Sequence, residues 1–169
     1  MSKLFPFLFI ATISIFGTCS KSTDDISAHI NCQGLVTDTL GTGDNGRVYM
    51  PNAFSPNGDG VNDVCKPILQ NIASIEFTIY DEGNNVVFTT TLLTQGWNAS
   101  FTANTSTKYY YKIQGNTTGN HKIGLCGEVY RLTCFPSSIS RSSFYFQDQL
   151  TPFGFTGATI EGSLLLTCP

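Results

Sequence analysis

A chain of 169 residues is long enough for a short leader and one domain of ordinary size, but not for two full domains. Charged residues make up only 12% of it, about half of the roughly 25% usual in soluble domains, so the polar surface must come largely from Thr, Ser and Asn, which suits exposed strands and turns better than charge-laced helices. A net charge of −3 with no Lys/Arg run excludes a nucleic-acid or anionic-membrane-binding surface.

In chain order, Lys3 precedes the apolar run Leu4–Phe16, the shape of an export signal and too short for a membrane-spanning helix of about 20 residues. The run closes on Gly17-Thr18-Cys19 and turns polar at Ser20. Small residues before a Cys at the end of an apolar run resemble a bacterial lipobox, which implies removal of residues up to Thr18 and acylation of Cys19. Several acyl chains anchor stably, because each buried methylene contributes about 0.8 kcal/mol. The other reading is ordinary signal cleavage near Gly17, with Cys19 left as a structural cysteine. Residues 20–46 are polar and turn-rich, ending in Gly41-Thr42-Gly43-Asp44-Asn45-Gly46, and read as a linker or tether held by Cys32.

Beyond residue 46 the period of two begins. Ile75, Phe77 and Ile79 share one face of a half-buried strand. Asp81-Glu82-Gly83-Asn84 is a turn, and Asn85–Thr91 returns as the second arm of a hairpin. In Lys108–Gln114 the residues Tyr109, Tyr111 and Ile113 point one way and both lysines the other. Glu128–Thr133, Ser143–Phe146 and Ala158–Leu166 are read as further strands. Six to eight short strands with no sustained helical period after the leader make a sandwich or a barrel.

The six cysteines are Cys19, Cys32, Cys65, Cys126, Cys134 and Cys168. Export places them in an oxidising compartment, where disulfides are expected. There is no Cys-x-x-Cys, and His29 and His121 stand at no finger spacing from a cysteine, which argues against zinc. Cys126 and Cys134, on one continuous strand, would lie about 26 Å apart and could not bond to each other. Each is expected to staple that strand elsewhere, to a cysteine such as Cys65 or Cys168. The pairing of Cys32, Cys65, Cys126, Cys134 and Cys168 is otherwise open.

Tyr49-Met50-Pro51-Asn52-Ala53-Phe54-Ser55-Pro56-Asn57-Gly58-Asp59-Gly60-Val61-Asn62-Asp63 is the most distinctive stretch. It closely resembles the opening of the gliding-motility-associated C-terminal domain, the type B sorting domain of the type IX secretion pathway. Phe77–Tyr80, Val86–Phe88, Gly96-Trp97-Asn98, Tyr109–Ile113 and Gly127–Leu132 follow in the family's order. Glu82-Gly83-Asn84 stands where the family has an Arg-Trp-Gly hairpin, and Asn98-Ala99 where it has Asp-Gly after tryptophan. The resemblance implies an all-β, immunoglobulin-like antiparallel β-sandwich of about seven strands. It also implies a role in export across the outer membrane or attachment at the cell surface, with the secretion or gliding machinery, or a surface ligand, as partner. The expected organisation is a signal peptide and lipobox at 1–19, a linker at 20–46, the sandwich at 47–133, and a C-terminal β extension packed on it at 134–169.

Ser55, Asn57, Asp59, Gly60 and Asp63 fall at positions 1, 3, 5, 6 and 9 of an EF-type loop, which would make Asn57, Asp59 and Asp63 calcium ligands. Position 12 is Lys66 rather than a bidentate Glu. The competing reading is a tight loop whose glycines supply positive φ and whose Asn/Asp side chains bond the backbone. The tyrosines at 109–111 read as a sugar-binding platform or as core, and Trp97 as a core plug. No Gly-x-Ser-x-Gly, His-Glu-x-x-His or phosphate-binding glycine loop is present, and nothing singles out Asp81, Glu82, Glu128 and Asp148 as a catalytic set. Sequons at Asn98, Asn104 and Asn116 are expected by chance in so Thr- and Asn-rich a chain. The expectation is a non-enzymatic, exported envelope protein held by Cys19 lipid at the outer membrane or cell surface, with no cofactor. The alternative is a small surface lipoprotein binding calcium or carbohydrate.

Overall fold

The computed structural model describes residues 23–36, 43–103, 105–161 and 167–168; Cys19 and the leader, Asn104 and Leu164–Leu166 lie outside them. The elements run α1 (Thr23–His29), β1 (Arg47–Tyr49), β2 (Ala53–Phe54), β3 (Ile68–Gln70), β4 (Ile72–Tyr80), β5 (Val86–Thr90), β6 (Ser106–Thr117), β7 (Lys122–Leu132), β8 (Leu150–Thr151) and β9 (Gly154–Phe155).

The main sheet has the order β2-β7-β6-β4-β5, and β1-β3 forms a second, two-stranded sheet. The long β6–β7 hairpin closes at Thr117–His121, where the Thr117 N–H donates to the His121 carbonyl at 2.9 Å and Asn120 sits at φ +64°. Such a φ suits Asn because its short polar side chain tolerates the left-handed region. Pairing of β4 with β6 sets Phe77 opposite Ile113 and Ile79 opposite Tyr111, so alternate residues of neighbouring strands stack on one face. That face, with Ile75 and Val129, meets Val48 and Met50 from the β1 side in one core. The arrangement is a sandwich, not a closed barrel.

Three local expectations are corrected. The sheet is not wholly antiparallel: β2 runs parallel to β7, with Ala53 opposite Tyr130 and Phe54 opposite Arg131. The chain reaches β2 from the other sheet, so it joins the exposed edge of β7 by crossing layers rather than by a hairpin, and direction is then unconstrained. Residues 20–46 are not merely a tether, because they contain α1. Tyr110, on the outer face, is only 1% exposed. The His29 ring stacks on it at 3.9 Å and the Lys108 ammonium lies 5.1 Å above it. A helix this short has no stability of its own and depends on the sheet it covers. Lastly, Ser143–Phe146 and Ala158–Ile160 form no strands. The downstream chain instead makes 3-10 turns at Arg141–Ser143 and Gln147–Gln149 and the small β8–β9 hairpin.

The β4–β5 turn is held by Asp81, whose carboxylate accepts the Asn85 N–H at 2.8 Å and the Asn85 side-chain amide at 3.0 Å. Hydrogen bonds from the Asn85 side chain and then its backbone hold the Asp81 carboxyl below the usual carboxylate range. A carboxylate depressed on folding stabilises above its unfolded pKa, and that contribution is lost as pH falls through the lower folded value. The stability gap between wild type and Asp81→Ala is therefore expected to hold constant near neutrality. It should close only on acidification below pH about 4, read by urea unfolding at a series of pH values.

Candidate functional site

The distinctive segment begins at the end of β1 and passes through β2. Because successive side chains of an extended chain point to opposite sides, Phe54 enters the main core while Ala53 enters a second one with Leu132, Phe144 and Phe146. Phe54 packs against Trp97, ring centroids 5.5 Å apart, and Trp97 sits edge-on to Tyr109 at 4.8 Å. Trp97 also pairs with Cys65, each N–H donating to the other's carbonyl at 2.9–3.0 Å. Gly96 permits this closeness: a Cβ there would lie 2.5 Å from Val64 Cγ1 and 2.8 Å from the Cys65 carbonyl.

After Pro56 the chain folds on itself. The Ser55 N–H donates to the Asn62 carbonyl at 2.8 Å and closes the loop. Asp63 lies across it, Oδ1 accepting the Gly58 N–H at 2.7 Å and Oδ2 the Gly60 N–H at 2.8 Å. Asn57 Oδ1 accepts the Asp59 N–H at 2.9 Å, Asp59 Oδ1 accepts the Val61 N–H at 2.8 Å, and Asn57 Nδ2 donates to Asp59 Oδ2 at 3.0 Å. Gly58 and Gly60 have φ of +83° and +87°, which a Cβ would strain. Most of the Asn-Gly-Asp-Gly-x-Asn-Asp order thus has a local cause: Asn57, Asp59 and Asp63 each cap an N–H that the reversed chain would leave without a partner.

Asn57, Asp59 and Asp63, the residues of the EF-type reading, bond the loop's own backbone here. Both oxygens of Asp63 face backbone N–H groups rather than a shared centre, and Ser55, at position 1, is buried. Among the described residues no group of three His, Cys, Asp or Glu side chains is placed to hold a metal. Asp63→Ala is expected to destabilise the fold by about 2–4 kcal/mol, since it leaves two loop N–H groups without their acceptor. Chemical denaturation of both proteins measures it; a loss below about 0.5 kcal/mol would mean that the loop holds itself by other means.

The cysteines pair as Cys32–Cys126 and Cys134–Cys168, with Cα atoms 6.0 and 5.0 Å apart. Cys65 is corrected as a disulfide candidate: it is a free thiol, fully buried at its bridge to Trp97, and burial pushes its pKa up. Burial also corrects the sugar platform, since Tyr110 and Tyr111 are enclosed on opposite faces of the sheet and Tyr109 packs on Trp97. Desolvation raises the Tyr111 pKa. The carboxylates are dispersed among separate tasks: Asp81 holds its turn, Glu128 pairs with Lys108 at 3.8 Å, and Asp148 accepts the Ile160 N–H at 2.7 Å.

Sequence reasoning did not anticipate the contact of His121 Nδ1 with Asp44 Oδ2 at 3.1 Å. Its partners stand 77 positions apart, and no local pattern announces them. Thr117 is bonded to Asp44 and to the His121 N–H, so this cluster pins the Gly43–Gly46 turn to the β6–β7 hairpin.

Residues 48–126 match the model of the CHU_C type IX secretion signal domain. No curated protein and no solved structure matches the chain. The match starts in β1 and stops within β7, so it takes in the signature loop, the first six strands and Cys126. The folded unit around the matched residues is larger. It includes α1 on one side, through Cys32, and the downstream segment on the other, through Cys134–Cys168.

Proposed function

We propose that this is a non-enzymatic, exported protein of the cell envelope. In this reading its signal domain is recognised by the type IX machinery during passage across the outer membrane, and an acyl anchor on Cys19 then holds the protein to the membrane. The observation that carries the reading is the family match over residues 48–126, on a segment whose loop N–H groups are capped by its own Asn57, Asp59 and Asp63. The matched family is a secretion signal rather than a catalytic one, which supports the non-enzymatic assignment. Retention of the domain as a displayed module, rather than its removal, is supported by the two flanking disulfides that tie neighbouring segments to it.

The test of export is protease accessibility on intact cells, in a host with a working type IX translocon and in the same host with the translocon disrupted. Surface exposure in the first and accumulation behind the outer membrane in the second are expected; equal exposure in both would defeat the reading. Intact mass of the mature protein decides retention, because loss of residues 134–169 would mean processing. A fatty-acid analogue should label the wild type and not Cys19→Ser. The calcium-binding alternative predicts a melting temperature that rises with millimolar calcium by binding linkage, and no rise is expected here.

A further inference from the structure

Where the two cores meet, the fold leaves a cavity of about 330 Å³. On the side of the main core its wall is Val48 and Tyr49 of β1, Met50 just after it, Leu125 of β7 and Tyr111 of β6. Opposite stand Leu150 of β8 and Tyr145, the latter between Phe144 and Phe146 of the second core. That far wall is held in place by main-chain bonds. Asn52, 91 positions from Ser143, donates its side-chain N–H to the Ser143 carbonyl at 2.8 Å. Its side-chain carbonyl accepts the Tyr145 N–H at 2.7 Å, and its backbone N–H donates to the Tyr145 carbonyl at 3.2 Å. Asn62 Oδ1 accepts the Asp148 N–H at 3.0 Å, and Gln149 Oε1 accepts the Phe146 N–H at 2.8 Å. The cavity is therefore preformed, as ligand sites usually are.

Tyr111 gives it a chemical character. The residue is 5% exposed, and its ring lies across β7 above Gly127, where a Cβ would stand 2.9 Å from the hydroxyl. Among the described residues nothing hydrogen-bonds that hydroxyl. A buried polar group without a partner costs free energy that a suitable partner recovers. Burial, and then the neighbouring Tyr145 and Cys65, push the Tyr111 pKa up, and burial raises that of Tyr145. Both are therefore neutral phenols near neutrality, able to donate.

No charged side chain lines the cavity among the described residues, so a charged occupant would lose its hydration with nothing to replace it. Its volume is roughly twice the ~150 Å³ of an engineered core cavity that takes up benzene. Apolar walls with one or two convergent polar groups are the common pattern of a small-molecule site.

We propose that this cavity binds a small, uncharged, largely apolar molecule about the size of two fused rings, whose single carbonyl or ether oxygen accepts a hydrogen bond from Tyr111. This inference does not depend on the route of export.

The probe is 2-acetylnaphthalene, a neutral two-ring ketone, titrated into the full chain by calorimetry and followed by saturation-transfer NMR. Naphthalene and 2-naphthoate are run beside it. The ketone should bind saturably, and the naphthoate about tenfold or more weakly. Tyr111→Phe should weaken the ketone about tenfold and leave naphthalene unchanged. Its unfolding midpoint should stay at the wild-type value or above, because the deleted hydroxyl has no partner to forfeit. Leu150→Trp, which fills the cavity from its partly buried wall, should abolish binding of both neutral probes while circular dichroism keeps the strand signal. Three results overturn the proposal: no saturable binding of the ketone up to its solubility limit, binding that survives Leu150→Trp, or ketone affinity indifferent to Tyr111→Phe.

Discussion

Phe54→Ala is expected to lower stability by about 3–5 kcal/mol, the range for deleting a buried aromatic ring whose neighbours cannot close the gap. Phe54 is 1% exposed and touches Trp97, and Trp97 is bound into the Cys65 bridge and against Tyr109, so the surroundings are fixed on several sides. A domain stable by about 5–15 kcal/mol would lose much of its margin, and export should fail through misfolding. Urea unfolding of wild type, Phe54→Ala and Phe54→Leu measures it, with the Leu variant losing far less because most of the apolar volume remains. Should Phe54→Ala unfold at the wild-type midpoint yet be poorly exported, Phe54 would be a contact for the machinery rather than a core residue.

The second large effect concerns Cys32–Cys126. Its partners are 94 positions apart, and closing a loop of that length restricts the unfolded chain by about 4–5 kcal/mol in the chain-entropy account. Cys32→Ser with Cys126→Ser should therefore shift the denaturation midpoint strongly, and a reductant should have little further effect through this bond. The loss has a visible local consequence. Cys126 lies on the outer face of β7, opposite Lys112, and the bond holds the chain after α1 where His29 covers Tyr110. Hydrogen exchange at residues 26–36 should rise before the sheet opens, because segments with few buried contacts unfold at lower free energy than the core. A wild-type midpoint unmoved by reductant would show that these cysteines are unpaired in the mature protein. The Cys134–Cys168 bond closes a shorter loop, separation 34, and should contribute somewhat less.

The two effects bear on which part of the signature segment is open to contact. Phe54, Ala53 and Pro51 are enclosed, so the most recognisable part of the motif is mostly framework. What it presents outward is the loop Gly58–Gly60. A chain so poor in charge, with a net charge of −3, gives little electrostatic steering.

The sequence by itself determined what depends on near neighbours. Alternation placed Ile75, Phe77 and Ile79 in the core of a sandwich. The Asp81–Asn84 turn and the positive-φ positions at Gly58 and Gly60 followed from residue type. The motif at 49–63 led to the family that residues 48–126 match. Only the tertiary structure decided what depends on distant ones. The parallel docking of β2 rests on a crossing between layers, and α1 meets the sheet where His29 stacks on Tyr110. The partner of Cys126 is 94 positions away, that of His121 is 77, and that of Asn52 is 91. The Ser143–Phe146 alternation was legible, but not that its backbone would meet two asparagines instead of a neighbouring strand. Local side-chain periodicity states which face is buried; it does not state against what, because that choice is made when chain ends far apart in sequence compete for the same unpaired edge.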